Sequence, residues 1–167
     1  MTRLLSARAI PAPLHRWMLR GAHRLRIAWW GWRRPVVEGV SIIARSRSGG
    51  VVLVRQSYGR DYWTLPGGGL GQGEDPAIAA AREFREELGS PLRDMELLAT
   101  RDEPLHGATN RVHVFTASLV DEPEPDGREV IAAGIFDLQA LPANLGPRAR
   151  ERLELLKDHL SRKGREG

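Results

Sequence analysis

The chain has 167 residues, with 25 basic against 21 acidic side chains and a net charge of +4, a length that suits one domain with a real core. It contains no cysteine, which excludes disulfides, thiolate metal sites and thiol catalysis. No apolar run is long enough for a signal peptide or a membrane-crossing helix, and the expected location is the cytoplasm.

The N-terminus is compositionally separate. Its first 34 residues hold eight arginines and no acid, leaving 17 basic against 21 acidic residues in the remainder, a net of −4. Leu14, Trp17, Met18, Gly21 and Leu25 recur at helical spacing with arginines between them, and Trp29, Trp30 and Trp32 follow. Three readings compete for this extension, residues 1–35. It could be a helix packed on the domain with its arginines outward, a basic amphipathic surface for nucleic acid or an acidic membrane, or a cleaved targeting segment. Packing is the preferred reading.

Val36 to Arg45 and Val51 to Gln56 are predicted strands by their β-branched content and partial alternation, with Ser46 to Gly50 as the turn between them. Arg55, Tyr58, Arg60 and Trp63 follow, placed to bind phosphate or stack on a base. Tyr62 and Trp63 suit the core equally well.

The glycine-rich run Leu65 to Glu74 invites comparison with phosphate loops. A Walker loop needs Lys and then Ser or Thr after its last glycine, whereas Gly73 is followed by Glu74 and Asp75; the G-x-G-x-x-G spacing is also absent. What the run does offer is close backbone approach to a ligand, with carbonyls of the hard-oxygen kind that Mg²⁺ accepts.

A helix should begin immediately afterwards. Asp75 is a good N-cap, Pro76 suits the first helical position and Gly89 suits the left-handed residue past the end. Ala77, Ala81, Phe84 and Leu88 make one apolar stripe. Glu83, Glu86 and Glu87 follow i, i+3, i+4 spacing on a different face, where three acids are expected to converge. Like charges at this spacing repel, and acids in a last turn oppose the helix dipole, so the arrangement is locally unfavourable. The bland alternative is a solvated face with Arg82 paired to Glu86.

Met95 to Arg101, Arg111 to Leu119 and Ile131 to Leu138 read as three further strands, and Pro147 to Leu160 as a closing helix. A basic tail, 161–167, ends the chain. Arg101, Asn110 and Arg111 are additional substrate-contact candidates. His106 and His113 lack metal spacing, and no G-x-S-x-G supports a serine hydrolase.

Gly68, five residues, Glu74, seven residues, then Arg82-Glu83-Phe84-Arg85-Glu86-Glu87-Leu88-Gly89 resembles the Nudix box of the Nudix hydrolase superfamily. Leu65-Pro66-Gly67-Gly68 resembles its usual lead-in; Ser90 departs from it, standing where an aliphatic residue is common. The resemblance covers roughly residues 36–160 and implies a Nudix-type α/β/α sandwich on a mixed sheet. It implies an enzyme that hydrolyses a nucleoside diphosphate linked to another moiety, with Mg²⁺ or Mn²⁺ as cofactor. On that resemblance Glu83, Glu86 and Glu87 hold the metal, the Gly67 carbonyl is a further ligand, and Arg82 orients the glutamates with Glu74. A second base or ligand is expected from the acidic stretch Asp121 to Glu129, with Glu129 the choice; a solvated loop is the alternative for its other acids. The partner is then a small nucleoside diphosphate derivative: a nucleotide sugar, an ADP-ribose-like compound or a nucleoside triphosphate. An RNA 5′-end pyrophosphohydrolase, a non-catalytic nucleotide sensor and a homodimeric assembly stay open.

Overall fold

A computed structural model describes residues 36–58, 61–105 and 108–166. The expectations for the basic extension, for Arg60 and for His106 lie outside these residues.

All five predicted strands form, as β1 (Val36–Arg45), β2 (Val51–Gln56), β3 (Leu92–Leu105), β4 (Ala108–Leu119) and β5 (Val130–Phe136). They make one mixed sheet in the order β3-β4-β1-β2-β5. β1 runs parallel to β4 over its whole length, from Val36 opposite Thr109 to Arg45 opposite Ser118. The two helices, α1 (Pro76–Leu88) and α2 (Pro147–Glu166), cover opposite faces, giving an α/β/α sandwich.

The alternation of β1 explains the two faces. Val40, Ile42 and Ala44 enter one core cluster with Phe84 and Leu88 of α1, while Ile43 enters another with Ala149, Leu153 and Leu156 of α2. A central strand buried on both sides reads as a nearly continuous apolar run.

β3 is longer than the predicted Met95 to Arg101. It is an edge strand with many exposed positions, so Asp102 could join it in solvent, while Glu103 joins it by pairing with Arg152 of α2. Its pairing with β4 has two irregularities, and Asp94 takes a positive φ of 50°. α2 also outruns its predicted end at Leu160. It continues through most of the expected basic tail, where Lys163 pairs with Glu96 of β3 at 2.6 Å. Among the described residues no helix is long and apolar enough to cross a membrane.

The hairpin between β1 and β2 is splayed: the two strands share a single register pair, Arg45 with Val51. The segment that follows β2 fills the gap. Thr64 bridges to Val54 of β2, and the N–H groups of Ile42 and Val40 donate to the carbonyls of Pro66 and Gly68, each at 2.9 Å. The glycine-rich run is therefore built into the middle of the sheet rather than being a free loop. This fixes its position against α1.

Candidate active site

α1 is delimited as its end signals predict. The Asp75 carboxylate accepts from the N–H groups of Ala77 and Ile78 at 2.8 and 3.2 Å, and Gly89 closes the helix at φ 68°. The buried face differs from the expected stripe. Ala79, Ala80, Phe84 and Leu88 are buried, and so is Glu87, only 5% exposed. The three glutamates thus occupy distinct environments rather than one solvated face.

Two glycines let the loop meet both the sheet and the helix. Gly67 has φ +145°, and a Cβ there would lie 2.2 Å from the Val40 carbonyl oxygen. At Gly68 a Cβ would lie 2.2 Å from a carboxylate oxygen of Glu83. The missing side chains bring backbone within contact of the helix's acids.

Arg82 is the hub of the acidic cluster. Its Nε and Nη2 donate to the two Glu74 oxygens, both at 2.9 Å, and its Nη1 donates to Glu83 at 2.7 Å and to Glu86 at 3.4 Å. Nη2 also reaches the Gly69 carbonyl at 3.1 Å. Glu74 is held at a pKa of about 2 by the Arg82 guanidinium and by the Gly71 N–H, and Glu74 and Glu83 in turn push Arg82 further up.

Glu87 has a different partner. The Gly67 N–H donates to its carboxylate at 3.1 Å. Burial nevertheless pushes its pKa up to about 8, with Glu83, Glu129 and Asp126 adding repulsion and the Gly67 N–H opposing. Glu86 is the exposed member, with 62% of its side chain accessible.

Glu83, Glu86 and Glu87 stand together at the end of α1, with Glu83 near enough to raise Glu87, but they have separate hydrogen-bond partners. Among the described residues no three acids or histidines are grouped closely enough to hold a metal ion. The reason is repulsion, met by separate partners: Glu83 and Glu86 turn to Arg82, while Glu87 turns to the Gly67 amide. The donor set still suits Mg²⁺ or Mn²⁺, because it consists of hard carboxylate and carbonyl oxygens around a buried acid surrounded by like charge. A divalent cation would offset that charge.

The acidic stretch after β4 docks by its backbone on the end of α1. The N–H groups of Glu124 and Asp126 donate to the carbonyls of Leu88 and Glu87 at 2.9 and 3.0 Å, pairing groups that a helix end otherwise leaves open. The Asp126 carboxylate then accepts from the N–H groups of Arg128, Glu129 and Val130. This turn brings Glu129 close enough to raise Glu87. Most acids here are exposed, as a solvated loop would have them, but the backbone is held. Ser90 is buried and hydrogen-bonded: its Oγ donates to the Pro91 carbonyl and accepts from the Asp121 N–H, each at 3.1 Å. The atypical residue of the box therefore ties the helix exit to this loop.

A cleft of about 800 Å³ lies against the other side of the glycine loop. Its walls are the start of β1, residues 66–73, Leu105, Asn110 and Val112, and the first turns of α2 with Arg148 and Arg152. From the end of β2 and the segment after it the cleft takes Gln56, Tyr62, Thr64 and Leu65, and not Arg55, Tyr58 or Trp63. Arg55 pairs with Asp61, and Trp63 packs edge-on against Phe136, 4.7 Å between ring centres, beside the α2 core. Those two therefore have partners within the protein and do not line the cleft. Of the later candidates Asn110 lines the cleft, whereas Arg111 is engaged by Asp102 at 2.9 and 3.0 Å and Arg101 is exposed on the edge strand.

Sequence reasoning missed Ser41, Glu103, Arg148 and Arg152. Arg148 and Arg152 share a helix face by their spacing, which was a usable signal. Their common partner Glu103 is 45 or more positions away and carried none.

A mixed sheet between two helices, with a glycine loop pressed on a helical carboxylate cluster beside a cleft, defines an α/β/α sandwich domain. The chain belongs to the Nudix family: the family model for the NUDIX domain matches residues 35–156. It is similar to an ADP-ribose pyrophosphatase of Mycobacterium tuberculosis, 37% identical over 96 residues, which cover 53% of this chain and 46% of that protein. It is also similar to an RNA pyrophosphohydrolase of Rhodospirillum rubrum, 39% identical over 56 residues and 34% of each chain. The chain spans less than half the length of these two curated relatives. Among solved structures, a MutT NUDIX hydrolase from Burkholderia pseudomallei superposes with a TM-score of 0.66 at 28% identity, covering 72% of this chain and 97% of the other.

Proposed function

We propose that the protein is a metal-dependent pyrophosphohydrolase that cleaves a nucleoside diphosphate linked to another moiety. The observation that carries this reading is Arg82 fastening Glu74, Glu83 and Glu86 while the loop amide of Gly67 holds the buried Glu87. Every acid of the box is in place, which disfavours a non-catalytic sensor.

Glu83, Glu86 and Glu87 would hold the cation, with the Gly67 carbonyl and Glu129 as further donors. Mg²⁺ or Mn²⁺ bound there supplies charge compensation for the diphosphate and acidifies water. Arg82 orients Glu83 and Glu86 through one rigid guanidinium. The Gly67 N–H aims Glu87, and Glu83 or Glu129 would take the proton of the attacking water. The cleft then receives the group attached to the diphosphate, with Gln56, Tyr62 and Asn110 on its lining as contacts beside the candidates Arg55, Tyr58 and Trp63.

The substrate classes in view are nucleotide sugars, ADP-ribose-like compounds and nucleoside triphosphates. RNA 5′ ends are a second reading, favoured by the similarity to an RNA pyrophosphohydrolase and by the arginine-rich N-terminus. RNA binding through those arginines should weaken steeply with salt.

A panel of these compounds with Mg²⁺ or Mn²⁺ tests the reading. Glu86→Gln and Glu87→Gln should each lower turnover about a hundredfold or more. Cleavage of no diphosphate compound, or variants as active as the parent, would sink it.

A further inference from the structure

We propose that the α2 wall of the cleft, Arg148 and Arg152 fastened to Glu103, forms with the Ser41 hydroxyl a subsite for a phosphate ester on the group beyond the diphosphate. The inference rests on the pyrophosphohydrolase reading and specifies which member of that substrate class the cleft prefers.

Charge is the first argument. Glu103 accepts from Arg152 Nη2 at 2.7 Å and lies 3.3 Å from Arg148 Nε, so two cations share one carboxylate and this wall is net positive, with Glu38 of β1 the acid on the rest of the cleft lining. Arg152 and Glu103 are only 13% and 15% exposed, which fixes them in place and strengthens their field on anything entering the cleft. Arg148 is 42% exposed at the rim, with its Nη2 braced on the Pro104 carbonyl.

Unused donors are the second argument. Arg152 Nε is buried with no hydrogen-bond partner, and so is the Oγ of Ser41, a residue 2% exposed on the cleft floor. A buried donor without an acceptor is destabilising, and native structures rarely keep one without a reason. α2 adds more donors. It starts at Pro147 after Gly146, which has no side chain to cap it, and no acid stands in the first turn. Gly146, Arg148 and Ala149 line the cleft, so the positive end of the helix faces the same space.

The third argument is what such a wall can recognise. Both Glu103 oxygens are already taken by Arg152, which leaves donors in surplus. A nucleobase edge or a sugar hydroxyl brings donors of its own, whereas a phosphate ester offers acceptors only and matches arginine geometry. The same cleft is lined by Gly68, where an added Cβ would meet the Glu83 carboxylate. A diphosphate bound at the glycine loop would therefore extend its attached group toward α2, and the acids around Glu87 would repel the ester from the wrong end.

Three compounds separate the outcomes: adenosine 5′-triphosphate, its 3′-phosphorylated counterpart and a 5′-triphosphorylated dinucleotide. Binding is read by calorimetry in EDTA, and hydrolysis is followed with Mg²⁺. At least one ester-bearing compound should bind about tenfold tighter than adenosine 5′-triphosphate, as expected for one charge-assisted contact. That advantage should vanish in Arg148→Gln and Ser41→Ala and be partly kept in Arg148→Lys. A gain for the 3′-phosphate points to a phosphorylated mononucleotide, and a gain for the dinucleotide alone points to an RNA end. Equal affinity for all three compounds, or variants that weaken all three equally, overturns the subsite. Failure to hydrolyse any compound of the wider diphosphate panel would overturn the pyrophosphohydrolase reading, while the affinity ratios of these three would still decide the subsite.

Discussion

Metal-free protein is expected to lose stability as pH rises from about 4.5 to about 8, and Glu87→Gln is expected to abolish most of that loss. Burial raises the Glu87 carboxyl from 4.5 to about 8, so between these values the folded chain binds a proton that the unfolded chain has released. Stability then falls with pH: this contribution is complete below the unfolded pKa and lost as pH passes the folded one. The limiting slope for one proton is about 1.4 kcal/mol per pH unit. Glu74 behaves oppositely. Its pKa of about 2 gives a contribution present above the ordinary carboxylate range and lost as pH falls toward 2, so it leaves the upper window clear. Urea midpoints in EDTA at several pH values between 5 and 8 check the point. Identical slopes for parent and Glu87→Gln would contradict it. Mg²⁺ added at pH 8 should stabilise the parent more than the variant, since a cation favours the ionised carboxylate.

Gly67→Ala and Gly68→Ala are expected to fail in different ways although the residues are adjacent. A Cβ at Gly67 meets the Val40 carbonyl at 2.2 Å, in a central strand that cannot move without disturbing β4, and the residue also needs φ +145°. Strain and overpacking together should cost about 3 kcal/mol or more. A Cβ at Gly68 meets the Glu83 carboxylate, the end of a flexible side chain that can swing aside. Gly68→Ala should therefore lie within about 1 kcal/mol of the parent in stability. Its loss should appear in metal-dependent turnover, because Glu83 is pushed off the position where Arg82 holds it. Urea unfolding beside the hydrolysis assay separates the two variants. Comparable stabilities for both would contradict the assignment of Gly67 to the fold and Gly68 to the site.

The helix that carries the candidate site was readable because its signals are local. Asp75, Pro76 and Gly89 act within a few residues of themselves, and α1 forms between them as expected. The strands were readable for the same reason in the core, where β-branched runs are buried on both faces. Legibility failed at the edges: β3 and the end of α2 extend through polar residues whose place is set by contacts such as Lys163 with Glu96, 67 positions apart. Trp63 and Arg55 show the same limit, since an aromatic or a cation near a loop can serve a ligand or a neighbour equally well. Here Phe136 and Asp61 are the neighbours.

The sequence by itself therefore determined the family, the helix that presents Arg82, Glu83, Glu86 and Glu87, and the chemistry those residues suit. Spacing along one helix and glycine at fixed positions are properties of neighbouring residues. Only the tertiary structure decided that Glu87 is buried, that Asp126 and Glu129 stand behind it, and that Arg148 and Arg152 face the cleft on Glu103. Burial and long-range pairing depend on which segments the sheet brings together, and no local spacing encodes that.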